Sequence, residues 1–407
     1  MKVLVINAGS SSIKYQLYDM PAGQVLAKGT VEKIGDDDSK LTHRCGSETT
    51  TREEAVADHK MAMQRILDIL VDGQVGAIEN LAEITTVGHR VVHGGEEFTG
   101  SMIVDDRVLA SIEKFVDLAP LHNPHNLVGI RAAQDKLPDA IQVACFDTAF
   151  HTSIPEVAYM YALPYELYEK YRIRRYGFHG TSHRYVARRA ARLMDIDKYE
   201  FNTITCHLGN GCSMAAVRNG RSIDTSMGFT PLEGLVMGTR TGDFDPAILF
   251  YLADKGYDVA QLNTLCNKKS GLLGLSGASN DMRTLEQLAQ EGNTRAKLAI
   301  DIFCYRVRKY IGAFLTVLNP LHAIVFTGGI GENSPLVRKL VCQNLDHIGI
   351  ELDAEANEAE KAGEKTISSP HSAVRIMVIP TNEEEAIAGD AFELSAKVTE
   401  SAQAQVE

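Results

Sequence analysis

Two stretches of this chain share one plan. VLVINAGSSSIKYQL begins at Val3 and TITCHLGNGCSMAAV begins at Thr203, and each reads as apolar strand, short polar loop with glycine, second strand. A tight hairpin commits its flanks to an antiparallel pair. Its recurrence predicts two related halves, each presenting a turn of phosphate size. In the first copy Lys2–Ile6 and Ile13–Tyr18 are the strands, with Asn7-Ala8-Gly9-Ser10-Ser11-Ser12 between them. Glycine permits positive φ and close ligand approach, and successive amides of such a turn attract anions. The hydroxyls of Ser10 and Ser12 add donors, and Lys14 adds a point charge. An ordinary hairpin with no ligand is the alternative for any one such turn.

The rest of the chain alternates strands with helices. At 407 residues it is too long for one core. Glu53 to about Val71 carries apolar residues at helical spacing and reads as a helix. ITTVGHRVVHGG reads as a strand entering a loop, and IQVACFDTAF as a short strand ending in a polar cluster. FNTITCHLGNGCSMAAVRNGRSIDTS reads as three strands, with the last turn at Asn219-Gly220. HAIVFTGGIGENSPLVRKL reads as buried strand, glycine turn and helix, with Ser334-Pro335 as cap and first turn. IMVIPTNEEEAIAGDAF repeats that form, its helix opening on three glutamates.

The totals exclude several classes. The net charge of −12 argues against nucleic acid as partner. No apolar run approaches the ~18 residues of a membrane span, and no secretory signal opens the chain. The seven cysteines form no CxxC, which predicts reduced thiols and a cytoplasmic protein. Three glycine-rich turns, AGSSS, HLGNG and GGIGEN, follow strands and point to a nucleotide triphosphate. The GxxxxGK[ST] loop is missing, GGIGEN lacks the third glycine of GxGxxG, and no HRD or DFG occurs. Hairpins occurring twice fit phosphates held between two halves.

INAGSSSIK, GHRVVHGGE, PLHNPHN, FDTAFH, RRYGFHGTSH, CHLGNG, DTSMGFTPLEGLVMGTRTGD, SGLLG, FTGGIGEN and PTNEE occur in that order. Together they resemble the acetate kinase family from residue 2 to about 390. The resemblance implies an α/β protein of two duplicated RNase H-like domains, of sugar kinase, Hsp70 and actin type. Each would hold a five-stranded mixed sheet flanked by helices. The first domain would cover 1–150 with about 384–407, its C-terminal helix returning to it. The second, 151 to about 383, would bind nucleotide and form a homodimer. The family reaction is reversible transfer of phosphoryl from ATP to acetate, giving acetyl phosphate and ADP, with Mg²⁺ (replaceable by Mn²⁺).

Moving phosphoryl onto a carboxylate requires two anions held in line and their charge offset. Arginine suits that work. Arg90 and Arg240 both read as lying in glycine-flanked loops after apolar segments, and a surface role is the alternative for either. The resemblance sets Arg90 against the carboxylate and Arg240 against the moving phosphoryl. It makes His179 a stabiliser of the phosphoryl oxygens, lines the cleft with His122 and His207, and makes Asp147 the active-site aspartate. Acetate needs no proton removed at neutral pH, so Asp147 is expected to orient Arg90 or Mg²⁺. The H-x3-H pairs His89/His93 and His179/His183 invite a zinc reading, but no HExxH exists and the following glycines are expected to break a helix.

By the same resemblance Asn7 and Glu383 hold Mg²⁺. His207, Leu208, Gly209, Asn210 and Gly211 cradle the β- and γ-phosphates. Gly329, Ile330, Gly331, Glu332 and Asn333 follow the α-phosphate and ribose. Asp281, Met282 and Arg283 lie near the adenosine, with Met282 where some relatives carry an aromatic residue. Val92, Leu121, Phe178 and Pro231 form the acyl pocket. Propionate kinases of the family often carry Ala where Val92 stands, so acetate is the expected substrate and propionate a slower one. A switching ATPase of actin or Hsp70 type is the rival of another class. It would need neither arginine.

Overall fold

The structure, a computed structural model, describes residues 1–120, 122–360 and 363–404. The chain divides into two compact units, one formed by residues 1–149 with those from 382 onward, the other by 150–381. Leu121 lies outside the described residues.

The first unit contains β1 (Lys2–Ala8), β2 (Ser12–Asp19), β3 (Gln24–Glu32), β4 (Lys40–Cys45), β5 (Glu48–Glu53), β6 (Ile84–Val91), β7 (Met102–Ile103) and β8 (Ile141–Phe146). They form one sheet in the order β5-β4-β3-β2-β1-β6-β8-β7. The second unit contains β9 (Thr203–Leu208), β10 (Cys212–Arg218), β11 (Arg221–Thr225), β12 (Ala323–Thr327), β13 (Lys365–Thr366) and β14 (Arg375–Val378), ordered β11-β10-β9-β12-β14-β13. Within each sheet the same five-stranded mixed core recurs. β1 is antiparallel to β2 and parallel to β6, which is parallel to β8. β9 is antiparallel to β10 and parallel to β12, which is parallel to β14. The sheets exceed five strands because β4, β5 and β7 extend the first and β13 extends the second.

The pleat assigns the faces. Val3, Val5, Val143 and Cys145 pack on Ile387, Ala388 and Ala391 of the helix Glu383–Ala404. Gly88 of β6 permits that approach, since a Cβ there would lie 2.7 Å from Ile387 Cγ2. Leu4, Ile6, Ile13 and Tyr15 face the other way, against Met63, Ile66 and Leu70 of the helix His59–Leu70. Each buried aliphatic side chain here contributes ~1.5–3 kcal/mol. In the second unit Val186, Ala190 and Ala191 of the helix Gly180–Leu193 cover Phe201, Ala323, Val325 and Met377.

Three local expectations are corrected. The helix expected from Glu53 starts at His59, because Asp58 caps it by accepting from the Met61 N–H, and Glu53 closes β5 instead. GGIGEN is not a turn but a short helix, Gly328–Asn333, entered through Gly328 at φ +76°. The glycine after His179 does not break a helix; Gly180 is its first residue.

Candidate active site

The pleat continues past the core residues into polar ones. Asn7 follows Val3 and Val5 on β1, Arg90 follows Gly88 on β6, and Asp147 follows Val143 and Cys145 one residue beyond β8. In-register neighbours on a sheet point the same way. These side chains therefore crown the strand ends on the face covered by the terminal helix, and the first residue of that helix is Glu383. Arg90 belongs to β6 and not to a loop, which corrects the expectation and fixes its direction. Lys14 is the direct cross-strand partner of Asn7. The turn between them is closed by the Gly9 N–H donating to the Ser12 carbonyl at 2.8 Å, with Ser10 exposed.

Arg90 is the hub of this cluster. Its Nε lies 3.1 Å from both Asp147 oxygens, its Nη2 lies 2.7 Å from Oδ2, and Glu383 Oε2 is 3.7 Å from Nε. Asp147 is 2% exposed and Glu383 19%. The Asp147 charge raises the Arg90 pKa further, against the opposing effect of burial. Burial pushes the Glu383 carboxyl up to about 6, opposed by Arg90. Val92 follows as a half-buried loop residue whose N–H donates to Asn126 Oδ1 at 3.1 Å. His122 is exposed at the start of the helix Asn123–Lys136.

The second unit repeats the scheme with other side chains. His207 occupies on β9 the hairpin position that Asn7 occupies on β1, and its cross-strand partner is Ser213. His179 precedes the helix that covers this face, in left-handed backbone at φ +56°. Its ring stacks on His207 with centroids 4.3 Å apart, and its Nδ1 is 2.8 Å from Ser213 Oγ. Arg240 approaches the same turn: a methyl placed on Gly211 would meet Arg240 Nη1 and His179 Cε1 at 3.6 Å each. Arg240 donates to the Pro231 carbonyl at 3.1 Å, and no carboxylate pairs with it among the described residues. Burial lowers its pKa. Phe178 is buried, and its carbonyl accepts from His151 Nε2 at 3.0 Å.

Beside this turn lies a cleft of about 740 Å³ lined by Gly209, Asn210, Asn280, Asp281, Met282, Arg283, Glu286, Gly329, Ile330, Asn333 and Ser334. Eight of the residues expected to hold nucleotide are therefore gathered at one place. Others have inward duties. Leu208 is wholly buried, so only its backbone faces the turn. The Glu332 carboxylate accepts from the Gly328 N–H at 2.9 Å and the Thr381 N–H at 3.3 Å. Asp281 caps the helix Met282–Gln290 and pairs with Arg283 at 3.0 Å.

Residues 2–389 match the model of the acetokinase family. The chain belongs to this family. It is 53% identical over 391 residues to the acetate kinase of Pseudothermotoga lettingae, covering 96% of each chain. Among solved structures it is similar to Porphyromonas gingivalis acetate kinase (46% identity, TM-score 0.93, 96% of this chain and 99% of that one). It is also similar to a propionate kinase from Francisella tularensis (43% identity, TM-score 0.90, the same coverage).

Sequence reasoning missed the residues that hold the acetokinase motifs in place. Asn126 donates to the Ala8 carbonyl at 2.9 Å while accepting from Val92, tying the end of β1 to the end of β6. Asn123 makes a reciprocal pair with the His93 backbone. His59 Nε2 donates to the Gly9 carbonyl at 2.7 Å. Arg338, 1% exposed, donates to the Gly331 and Glu332 carbonyls at 2.9 Å each and fixes the end of the short helix. A signal existed for the asparagines. In PLHNPHN they are three apart, the spacing that places two carboxamides on one helix face.

Proposed function

We propose that the chain transfers the γ-phosphoryl group of ATP to acetate, reversibly, giving acetyl phosphate and ADP. One observation carries the reading: an arginine with no carboxylate partner among the described residues and a histidine meet at a hairpin glycine, Gly211, beside a cleft. A cation left unneutralised in a partly buried place is suited to an anionic ligand. Arg240 and His179 offset the charge on the moving phosphoryl oxygens, and the amides of 209–211 hold the phosphates. Arg90, already oriented by Asp147, takes the carboxylate of the acid. Acetate attacks as the anion, so Asp147 acts through Arg90 and removes no proton. Val92, Leu121, Phe178 and Pro231 accommodate the methyl group.

Asn7 and Glu383 are hard oxygen donors of the kind Mg²⁺ takes. No group of three or more His, Cys, Asp or Glu suited to a metal occurs among the described residues. That fits an ion held by one or two protein oxygens together with substrate phosphates. When bound, Mg²⁺ supplies positive charge to the phosphate oxygens. Exposed Phe250, Tyr251 and Val259, at 72%, 62% and 84%, support a homodimer through the second unit. No helix among the described residues is long and apolar enough to cross a membrane. None of the seven cysteines is in a disulfide, which supports a cytoplasmic setting.

A coupled assay of ADP formation, with acetate, propionate and butyrate and with ATP or GTP, tests the reading. Acetate is expected to give the highest kcat/KM. A tenfold preference for propionate would instead support the second reading, propionate kinase, which the likeness to the Francisella enzyme favours. Arg240→Ala is expected to lower acetyl phosphate formation by at least roughly a hundredfold. A loss of only a few-fold would overturn the mechanism.

A further inference from the structure

Behind His179 runs a chain of hydrogen bonds that no step above uses. Its Nδ1 is 2.8 Å from Ser213 Oγ, and Ser213 Oγ is 2.8 Å from His183 Nε2. His183 Nδ1 is 2.7 Å from Thr205 Oγ1, and Thr205 Oγ1 is 3.5 Å from the Ala215 carbonyl. Ser213, His183 and Thr205 are fully buried. Each hydroxyl has one proton to give, and a neutral imidazole has one N–H. The chain ends at a carbonyl, which only accepts.

The polarity follows from that end. Thr205 donates to Ala215 and accepts from the Nδ1–H of His183. Burial holds His183 neutral by pushing its pKa well down, so its Nε2 must accept. Ser213 therefore spends its proton on His183 and can only accept from His179. In the opposite polarity the hydroxyl oxygen of Thr205 would face the Ala215 carbonyl with lone pairs on both sides.

We infer that Thr205, His183 and Ser213 fix the proton of His179 on Nδ1, so that His179 donates to the phosphoryl group only as an imidazolium. This rests on the proposed contact between His179 and phosphoryl and deepens it. Three ionisable groups that face His179 are Arg240 by way of Gly211, His207 by ring stacking, and His183 through Ser213. None of these three carries negative charge that would favour a cation. A bound triphosphate does, so nucleotide binding draws a proton from solvent onto Nε2. Bound anions raise the pKa of the ring, and the imidazolium is present below that value and lost as pH rises through it. Ser213, His183 and Thr205 are positioning residues that act through His179.

The test is kcat against pH from 6 to 9 for the full-length enzyme and for Ser213→Ala, Thr205→Val and His179→Ala, with calorimetry of MgATP-analogue binding at one pH in two buffers of different ionisation enthalpy. Wild type is expected to lose kcat on the alkaline side and to take up protons on binding. Ser213→Ala frees His179 to carry its proton on Nε2 as a neutral donor. Its kcat should be roughly tenfold lower at pH 6, where a charge-assisted bond is lost, and should converge on wild type by pH 9, with proton uptake abolished. Thr205→Val should flatten the profile in the same way, and it decides the matter if Ser213→Ala fails to fold. A ratio of wild type to variant that is constant across pH, or unchanged proton uptake, overturns the inference. His179→Ala separates the two claims. If it leaves transfer within a few-fold of wild type, the assigned contact is wrong; if it abolishes transfer while the ratio stays constant, only the proton assignment is wrong.

Discussion

Asp147 holds Arg90 by one edge of its guanidinium: Nη2 is 2.7 Å from Oδ2 and Nε is 3.1 Å from each carboxylate oxygen. A guanidinium offers two forked edges. The Nε–Nη2 edge is taken, Nη1 has no partner among the described residues, and Arg90 remains 24% exposed. The free end is therefore aimed by the occupied one. Removing Arg90 leaves Asp147 as an unpaired buried charge, and removing Asp147 leaves Arg90 only the longer contact to Glu383 at 3.7 Å. Asp147→Ala and Arg90→Ala should each destabilise the protein by ~3 kcal/mol in urea unfolding. The double variant should lose clearly less than the sum, because the two losses are one interaction counted twice. Both single variants should also raise the KM for acetate. Additive losses would show that Asp147 does not orient Arg90.

Four buried histidines set the acid limit of the fold. Burial lowers His89 and His151 to about 4 and His93 to about 3, and lowers His183 as well. Each pKa lies below that of the unfolded chain, so the unfolded state binds the extra protons first. The stability these residues contribute is complete above about pH 6.5 and is lost as pH falls toward their folded values. Unfolding midpoints in urea should drop steeply between pH 6.5 and 5, with a slope of several kcal/mol per pH unit near pH 5. His89 bonds Gln142 Oε1 at 2.8 Å through Nε2, and His89→Gln should shallow the slope by about one proton. An unchanged slope would mean that His89 is not the group responsible.

How much of this was legible follows a physical line. The repeated hairpins were readable because a strand has a period of two and a tight turn has few compositions. They led to the duplicated sheet core and to the turns at Gly9 and Gly211. Arg90 is legible by its type but reads as a loop residue, because the glycines on either side suggest a break, while the β6 ladder runs through Gly88 and on to Val91. GGIGEN was read as a turn for the same reason. Of the residues that position the site, Ser213 and Arg338 leave no signal in the sequence, and Asn126 leaves only its spacing from Asn123. Asn126 and Ser213 act on partners 30 or more residues away, such as the Ala8 carbonyl for Asn126, and Arg338 acts on backbone carbonyls at its own turn, so one-dimensional spacing carries no trace of which groups meet. Leu121 falls outside the described residues, so its place in the acyl pocket rests on resemblance.

Two glycines near the phosphate turn should respond in opposite ways. A Cβ on Gly211 would sit in ordinary contact, 3.6 Å from Arg240 Nη1 and His179 Cε1, but in the space between these side chains that is proposed for a phosphoryl oxygen. Gly211→Ala should fold normally, keep its unfolding midpoint, and lose roughly tenfold or more in kcat. A Cβ on Gly238 would lie 1.9 Å from Asn210 Oδ1, a contact that cannot stand, and Gly238 also donates its N–H to the Asn210 carbonyl at 2.9 Å. Gly238→Ala must push Asn210 out of the cleft lining. It should raise the KM for ATP more than it lowers kcat. The reverse pattern in the two variants would place the transfer chemistry away from Gly211.

Val92 is the position at which substrate size is expected to be decided. Its N–H is held by Asn126 and its neighbour Arg90 is held by Asp147, so its side chain has little freedom to retreat from a larger acid. Val92→Ala removes two methyl groups from a fixed wall. One methylene in an apolar pocket is worth ~1–3 kcal/mol of discrimination. The ratio of kcat/KM for propionate over acetate should therefore rise by roughly tenfold or more, chiefly through a lower KM for propionate, with acetate turnover reduced only a few-fold. Asn126→Asp should shift the ratio less but raise both KM values, since its carboxylate can still accept from Val92 and can no longer donate to the Ala8 carbonyl. Steady-state kinetics with both acids at saturating ATP reads all of these. If Val92→Ala left the ratio within twofold of wild type, the pocket would have to lie on side chains other than this one.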